Sequence, residues 1–129
     1  MIEAINRLAD AEEYFTAEGC HITELSNSDD DPTLSIARAR VEPGITTRWH
    51  RLAGIAERYY IISGHGRVEI GGLPPQDVAS GDTVLIPPMC RQRISNTGAE
   101  DLVFLAICSP RFVIDAYEDI DDKPPPDKS

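Results

Sequence analysis

The segment TTRWHRLAGIAERYYIISGHG, residues 46–66, decides what kind of fold this chain adopts. Its second half, RYYIISG, has the alternating pattern of a half-buried strand, and it ends in a glycine-rich turn. His50 and Glu57 precede this run, and both are side chains that bind metal ions or transfer protons. Leu52 shares a strand face with His50 and brings hydrocarbon to it. If the strands on either side of AGIA pair, His50 and Glu57 both point into one interior.

The rest of the chain continues as short apolar runs that are separated by glycine and proline. From Leu34 these runs are LSIARARV, RVEIGG, SGDTVLIPP, QRISNTG and DLVFLAICSP. Short strands with turn signals every eight to twelve residues, roughly, are typical of a sandwich or closed barrel. The pattern predicts an all-β, antiparallel barrel over about residues 20–112, within a single domain of residues 1–129. A short helix or turn is expected over residues 7–18, and a loose tail is expected over residues 121–129.

Composition narrows the class of protein further. The chain has 129 residues, of which 41% are hydrophobic, and no apolar run reaches the length that crosses a bilayer. Its N-terminal segment lacks the basic flank and apolar block of a signal peptide. Three cysteines, an odd number without metal-type spacing, argue against a disulfide framework. These features predict a cytoplasmic protein.

The net charge of −10 disfavours nucleic acid and anionic membrane surfaces as partners. The charge is uneven, because residues 38–93 hold eight arginines and only five acidic residues. Arginine pairs with carboxylates through two parallel hydrogen bonds, so this region predicts a small anionic ligand, with Arg38 as a candidate contact. The alternative is that these arginines lie on solvated strand faces.

Regular spacings surround His50 and Glu57. Five residues separate Gly44 from His50, and six separate Glu57 from Gly64. Four residues, AGIA, lie between Leu52 and Glu57.

A second spaced pattern follows downstream. Five residues separate Gly81 from Pro87, and three separate Gln92 from Asn96. The two patterns together resemble the two motifs of the cupin family, whose members fold as jelly-roll barrels. They cover about 55 of the 129 residues, and the flanking strands fit the same barrel. The resemblance implies a small-molecule site inside the barrel.

The resemblance also implies where a metal ion would bind. The family's metal is held by two histidines and a glutamate of the first motif and a histidine of the second. The matching residues here are His50, Leu52, Glu57 and Gln92. A leucine and an amide replace two imidazoles, and an amide oxygen is a poor ligand for borderline metals. A divalent metal ion held by His50, Glu57 and Gln92 is therefore expected to bind more weakly than in an unmodified cupin, or not at all.

Three functions remain open on these residues. The chain could be a metal-dependent dioxygenase, isomerase or decarboxylase, a non-catalytic small-molecule binder, or a metal-free enzyme with Glu57 as base. Glu57 and Tyr59 are the candidate catalytic residues, and Leu52, Tyr59 and Gln92 join Arg38 as candidate substrate contacts. Exposed sheet edges and the apolar N-terminal segment predict a homodimer.

Overall fold

The computed structural model describes residues 1–124, which form β-strands with two single 3-10 turns. The turns are Leu8–Asp10 and Ile114–Ala116. The strands are β1 (Glu13–Phe15), β2 (His21–Ser26), β3 (Ser35–Val41), β4 (His50–Leu52), β5 (Ala56–Ser63), β6 (His65–Ile70), β7 (Gln76–Ala79), β8 (Thr83–Ile86), β9 (Gln92–Asn96), β10 (Leu102–Ser109) and β11 (Tyr117–Asp119).

The strands form two antiparallel sheets. One sheet has the order β1-β2-β3-β10-β5-β8, and the other has the order β11-β4-β9-β6-β7. Strand neighbours that are distant in sequence, such as β3 and β10, are typical of a jelly roll. The predicted all-β, antiparallel jelly-roll barrel is confirmed. The short helix or turn expected over residues 7–18 is a 3-10 turn at Leu8–Asp10, and β1 follows it within the same segment.

The core lies between the two sheets because side chains alternate along each strand. In β10, Leu102 and Phe104 are buried, whereas Val103 and Leu105 are only partly covered. The main core cluster is entirely apolar and contains members of both sheets, among them Val41, Ile61, Ile94, Leu102 and Phe104. A smaller cluster of Leu52, Ile55, Cys108 and Ala116 lies beside the cavity described below.

The strands that carry His50 and Glu57 do not pair with each other. β4 pairs with β9 and β11 in one sheet, whereas β5 pairs with β8 and β10 in the other. The two side chains nevertheless share the barrel interior, because each lies on the inward face of its own sheet. His50 is 2% exposed and Glu57 is 8% exposed.

The backbone has a left-handed conformation at Gly64 and at Met89, which both lie within the spaced patterns. Gly64 joins β5 to β6 with a φ of +90°, and a Cβ there would lie 2.7 Å from the backbone oxygen of Asp101. Only glycine fits that turn. Met89, two residues after Pro87, has a left-handed φ of 63°, a conformation that glycine adopts most easily. Its backbone NH donates a 2.8 Å hydrogen bond to the Leu52 carbonyl, which ties this turn to β4.

The segment that follows β11 is held to the barrel as far as residue 124. The guanidinium of Arg48 pairs with Asp119 at 2.6 Å and donates to the carbonyls of Lys123 and Pro124 at 2.6 and 2.8 Å. Asp121 accepts a 2.8 Å hydrogen bond from the backbone NH of Trp49. The loose tail predicted for residues 121–129 is therefore not seen at 121–124, and residues 125–129 lie outside the described part of the chain.

Within residues 1–124, none of the helical segments is long and apolar enough to cross a membrane.

Candidate functional site

A cavity of about 180 Å³ lies between the sheets at the end of the barrel where β4, β5 and β10 meet the terminal segments. Its walls come from β1 and the turn after it, from the inward faces of β2, β3, β4, β5 and β10, and from residues 112–117. The lining residues are Tyr14, Thr16, Ala17, Glu18, Ile22, Glu24, Ser35, Ala37, His50, Leu52, Glu57, Ala106, Cys108, Phe112, Ile114 and Tyr117.

Glu57 supplies a buried carboxylate with one unused oxygen. The thiol of Cys108 donates a weak hydrogen bond to Glu57 Oε2 at 3.7 Å. Among the described residues, Glu57 Oε1 has no hydrogen-bond partner. Burial raises the pKa of Glu57 to about 7; the nearby charge of Glu18 adds to the rise, while His50 and Gln92 oppose it. The Glu57 carboxyl can therefore take up or release a proton near neutral pH.

His50 has an acceptor at each ring nitrogen. Its Nδ1 lies 2.8 Å from the backbone oxygen of Arg48, and its Nε2 lies 3.2 Å from Glu18 Oε1. A carbonyl oxygen and a carboxylate oxygen can only accept, so both contacts are satisfied when both nitrogens carry a proton. The ring also stacks on Tyr117, with centroids 5.2 Å apart and an interplanar angle of 21°. His50 is thus an imidazole whose orientation is fixed by contacts at both ring nitrogens and on its face.

Glu18 is a functional residue that the sequence did not reveal. It lies in the turn after β1, and its backbone oxygen accepts a 2.9 Å hydrogen bond from the NH of Arg48. Thr16 steadies the same turn by donating to the Cys20 carbonyl at 3.0 Å. Nothing in the local sequence TAEGC signals a site, because the turn acquires its role only when β1 lies against the barrel.

Gln92 and Tyr59 lie behind the cavity rather than on its surface. The Tyr59 hydroxyl donates a 2.6 Å hydrogen bond to Gln92 Oε1, and both side chains are buried. Tyr59 also packs on Phe104, with ring centroids 4.5 Å apart. Gln92 is the register partner of His50 across β4 and β9. These two residues support the site from behind, whereas Leu52 forms part of the cavity wall.

Arg38 does not reach the cavity. In β3 it alternates with Ala37 and Ala39, and Ala37 is the residue that lines the cavity. Arg38 therefore lies on the outer face of its sheet. The lining residues instead include three glutamates, Glu18, Glu24 and Glu57. The arginine-rich region of residues 38–93 suggested an anionic ligand. Among the described lining residues, such a ligand would meet one basic side chain, His50.

The described residues do not fit the ordinary cupin metal site. Leu52 offers no ligand atom, and Gln92 Oε1 already accepts from Tyr59. His50 Nε2 is engaged with Glu18. Across residues 1–124, no three side chains among histidine, cysteine, aspartate and glutamate are arranged to hold a metal ion. The donor set therefore lacks both the number and the type of ligands that such a site requires.

Changing Leu52 to histidine should raise the affinity for Zn²⁺ at least tenfold, about 1.4 kcal/mol, because it adds an imidazole two residues from His50 on the same strand face. Isothermal titration of Zn²⁺ into the variant and the wild type measures the gain. Leu85, which is exposed on the outer face of β5's neighbour β8, offers the control substitution Leu85→His. Equal Zn²⁺ affinity of the folded Leu52→His variant and the wild type would contradict the expectation.

Solved structures with the same architecture include several enzymes. Pac13 from Streptomyces, a nucleoside dehydratase, aligns with a TM-score of 0.77 at 17% identity, over 93% of this chain and 92% of that chain. KdgF from Halomonas sp. aligns with a TM-score of 0.74 at 16% identity, over 84% and 96%. A mutant of oxalate decarboxylase from Bacillus subtilis aligns with a TM-score of 0.75 at 26% identity, over 88% of this chain and 31% of that larger chain.

Sequence comparison agrees with the structural likeness. An uncharacterized protein of Methanocaldococcus jannaschii is 33% identical over 101 residues, which is 77% of this chain and 80% of that protein. Residues 37–108 match the family model of the cupin domain. This segment contains His50, Glu57 and Gln92, the residues on which the resemblance was based. The chain belongs to the cupin domain family.

Proposed function

We propose that this cupin is a metal-independent enzyme that removes a proton from a carbon atom of a small uncharged or cationic substrate, with Glu57 as the base and His50 as the acid. The observation that carries the proposal is the free, buried Oε1 of Glu57 on the wall of a cavity that also presents a fixed imidazole. Burying a carboxylate oxygen without a partner is costly, and a bound substrate would give it one.

The chemical step needs no further reactant. Glu57 takes the proton from carbon, and the electron pair of that C–H bond forms a double bond to the neighbouring carbon. In a dehydration, the C–O bond on that neighbour breaks, and the oxygen leaves as water with the proton from His50. A proton returned from Glu57 to His50 through solvent then restores the starting state. In an isomerisation of a hydroxycarbonyl compound, the π pair of the neighbouring C=O group moves onto its oxygen, which His50 protonates. Glu57 then returns its proton to that former carbonyl carbon while His50 takes the proton of the hydroxyl on the first carbon, which becomes the new carbonyl.

The electrostatics of the site support these roles. A pKa of about 7 keeps Glu57 partly ionised at neutral pH and makes it a stronger base than an exposed carboxylate. Glu18 Oε1 lies 3.2 Å from His50 Nε2 and fixes the orientation of the imidazole. The likeness to a nucleoside dehydratase of the same fold is consistent with elimination chemistry, although at 17% identity it bears on the fold alone.

The metal-dependent dioxygenase or decarboxylase has less support, because the ligand positions at Leu52 and Gln92 do not provide a metal site. A cupin that binds a small molecule without changing it uses the same cavity, and the experiment below distinguishes it from the enzyme. The predicted homodimer and the cytoplasmic location stay predictions. Ile2, Ile5 and Leu8 are exposed, as a dimer that covers the N-terminal segment would require.

Hydrogen exchange at carbon tests the proposed function without a known substrate. Chelator-treated protein is incubated in D₂O with hydroxyacetone, aminoacetone or pyruvate, and the loss of C–H signal is followed by proton NMR. We expect exchange of the uncharged or cationic compound, and we expect Glu57→Gln to slow it at least 100-fold, within the usual range for loss of a general base. Exchange by the wild type should rise with pH as Glu57 ionises around pH 7.

The matched control is Glu69→Gln, since Glu69 pairs with Arg93 away from the cavity and its loss should leave exchange unchanged. Exchange that persists in Glu57→Gln, or that appears only after a divalent metal is added, would overturn the proposal. If none of the three compounds exchanges while one of them binds, the non-catalytic binder is the better description.

A further inference from the structure

We propose that the cavity is a binding site for a small primary amine, whose positive charge is balanced by the lining glutamates Glu18, Glu24 and Glu57 while its apolar part packs on the hydrocarbon walls. The inference deepens the proposed function, on which it rests for the role of the cavity, by naming the class of ligand. It is carried by three independent features of the lining: its charge, its unused polar atoms and its shape.

The charge of the lining is negative. Three of the lining residues are glutamates, and among the described lining residues the one basic group is His50, which Glu18 already pairs at 3.2 Å. Among residues 1–124, no cationic side chain forms an ion pair with Glu24; the Tyr14 hydroxyl donates to it at 3.5 Å. Burial raises the pKa of Glu24, as expected of a carboxylate that lacks a positive charge beside it. A ligand with one positive charge would supply that missing partner.

Two buried polar atoms of the lining have no hydrogen-bond partner among the described residues. They are Glu57 Oε1 and the hydroxyl oxygen of Tyr117. Glu57 is 8% exposed, so water reaches it poorly. An ionised Glu57 and the lone pairs of the Tyr117 hydroxyl are both acceptors, which together match a group with several N–H donors. A primary ammonium has three such donors, whereas a carboxylate ligand has none.

The remaining walls are apolar or aromatic. Ile22, Ala37, Leu52 and Ala106 give a hydrocarbon surface, and Tyr14, Phe112 and Tyr117 give aromatic rings. Aromatic faces attract cations, and the attraction grows when water is excluded. The cavity of about 180 Å³ holds the volume of roughly six water molecules, so the ligand is small.

An inorganic cation fits the lining less well than an amine. Within residues 1–124, no three acidic, histidine or cysteine side chains are placed to surround one ion. An organic ammonium needs fewer acceptors than a metal ion, because it has three N–H donors and its carbon atoms cover the apolar walls.

Binding of three matched compounds tests the inference. Cyclopentylamine, cyclopentanol and cyclopentanecarboxylate share a ring and differ in charge, and each is titrated into the chelator-treated protein at pH 7.5 by calorimetry. We expect the amine to bind at least tenfold more tightly than the alcohol, and the carboxylate to bind most weakly. Equal binding of amine and alcohol, tighter binding of the carboxylate, or no binding of any compound would overturn the inference.

Substitution of Glu24 then locates the charge recognition. Glu24→Gln should reduce amine affinity at least fivefold and leave alcohol affinity unchanged, whereas Glu24→Asp, which keeps the charge, should retain most of the preference. Glu100→Gln removes an exposed glutamate outside the cavity and is the matched control. An unchanged amine affinity in folded Glu24→Gln contradicts the assignment.

These titrations measure binding alone, so their outcome is separate from the hydrogen-exchange result. A preference for the amine with unaltered exchange in Glu57→Gln would sustain the ligand class and refute the base. Loss of exchange in Glu57→Gln without a preference for the amine would do the reverse.

Discussion

Glu57→Gln is expected to stabilise the fold by about 3 kcal/mol at pH 8 and to leave its stability unchanged at pH 4. The pKa of Glu57 is about 7 in the folded protein and has an ordinary value of 4.5. Between these values the folded state holds a proton that the unfolded state has lost, so the wild type loses about 1.4 kcal/mol of stability for each pH unit. The loss is complete above about pH 7. The glutamine amide carries no charge and has no such penalty.

Urea unfolding of both proteins at pH 4, 6 and 8 measures the difference directly. The free energies of unfolding should coincide at pH 4 and diverge up to pH 8, with the variant the more stable. Glu100→Gln, an exposed change of the same kind, should follow the wild type at every pH. A constant difference across this range would mean that Glu57 ionises normally. If the expected divergence is observed, Glu57→Gln combines higher stability with loss of hydrogen exchange, as is common when a strained group serves catalysis.

Asn96→Ala should destabilise the protein by about 3 kcal/mol. Asn96 is 4% exposed and satisfies three backbone groups. Its Nδ2 donates to the carbonyls of Val41 and Glu100, both at 2.8 Å, and its Oδ1 accepts from the NH of Gly98 at 2.9 Å. Each such hydrogen bond contributes about 1 kcal/mol, and backbone groups left buried without a partner cost at least as much. The asparagine of the second motif is thus a structural residue that fixes the turn after β9.

The aspartate variant distinguishes these hydrogen bonds from simple packing. Asn96→Asp keeps an acceptor for Gly98 but turns a negative oxygen toward the two carbonyls, so it should be less stable than Asn96→Ala at pH 8 and recover at pH 4, where the carboxyl is protonated. Asn6→Ala, at an exposed position, is the control for asparagine loss. A change of less than about 1 kcal/mol in Asn96→Ala, measured by urea unfolding, would exclude the role proposed here.

Much of the fold could be predicted from the sequence because its signals are local. Alternating runs such as RYYIISG indicate a strand, and glycines between such runs, such as Gly64, indicate a turn. The pairing of strands could not be predicted in the same way. The sequence suggested a hairpin across AGIA, yet β4 and β5 join different sheets, since pairing depends on partners that are distant along the chain.

The residues of the candidate site likewise divide into those that local spacing predicts and those that depend on distant contacts. His50, Leu52 and Glu57 were found because motif spacing places them on inward strand faces. Glu18 and Tyr117 were not, because they reach the cavity only through contacts made by the turn after β1 and by β11. Arg38 was proposed from regional charge, which carries no information about which face of a strand a side chain occupies.

The position of β1 and β11 at the ends of their sheets has a consequence for how cupins diverge. The segment that matches the family, residues 37–108, contributes His50 and Glu57, whereas Glu18, Glu24 and Tyr117 all lie outside it. β11, which carries Tyr117, and β1, which the turn of Glu18 follows, each have one neighbour in their sheet, so changes there have little effect on the barrel. Relatives that share the family segment can therefore keep His50 and Glu57 and still differ in the residues that surround them.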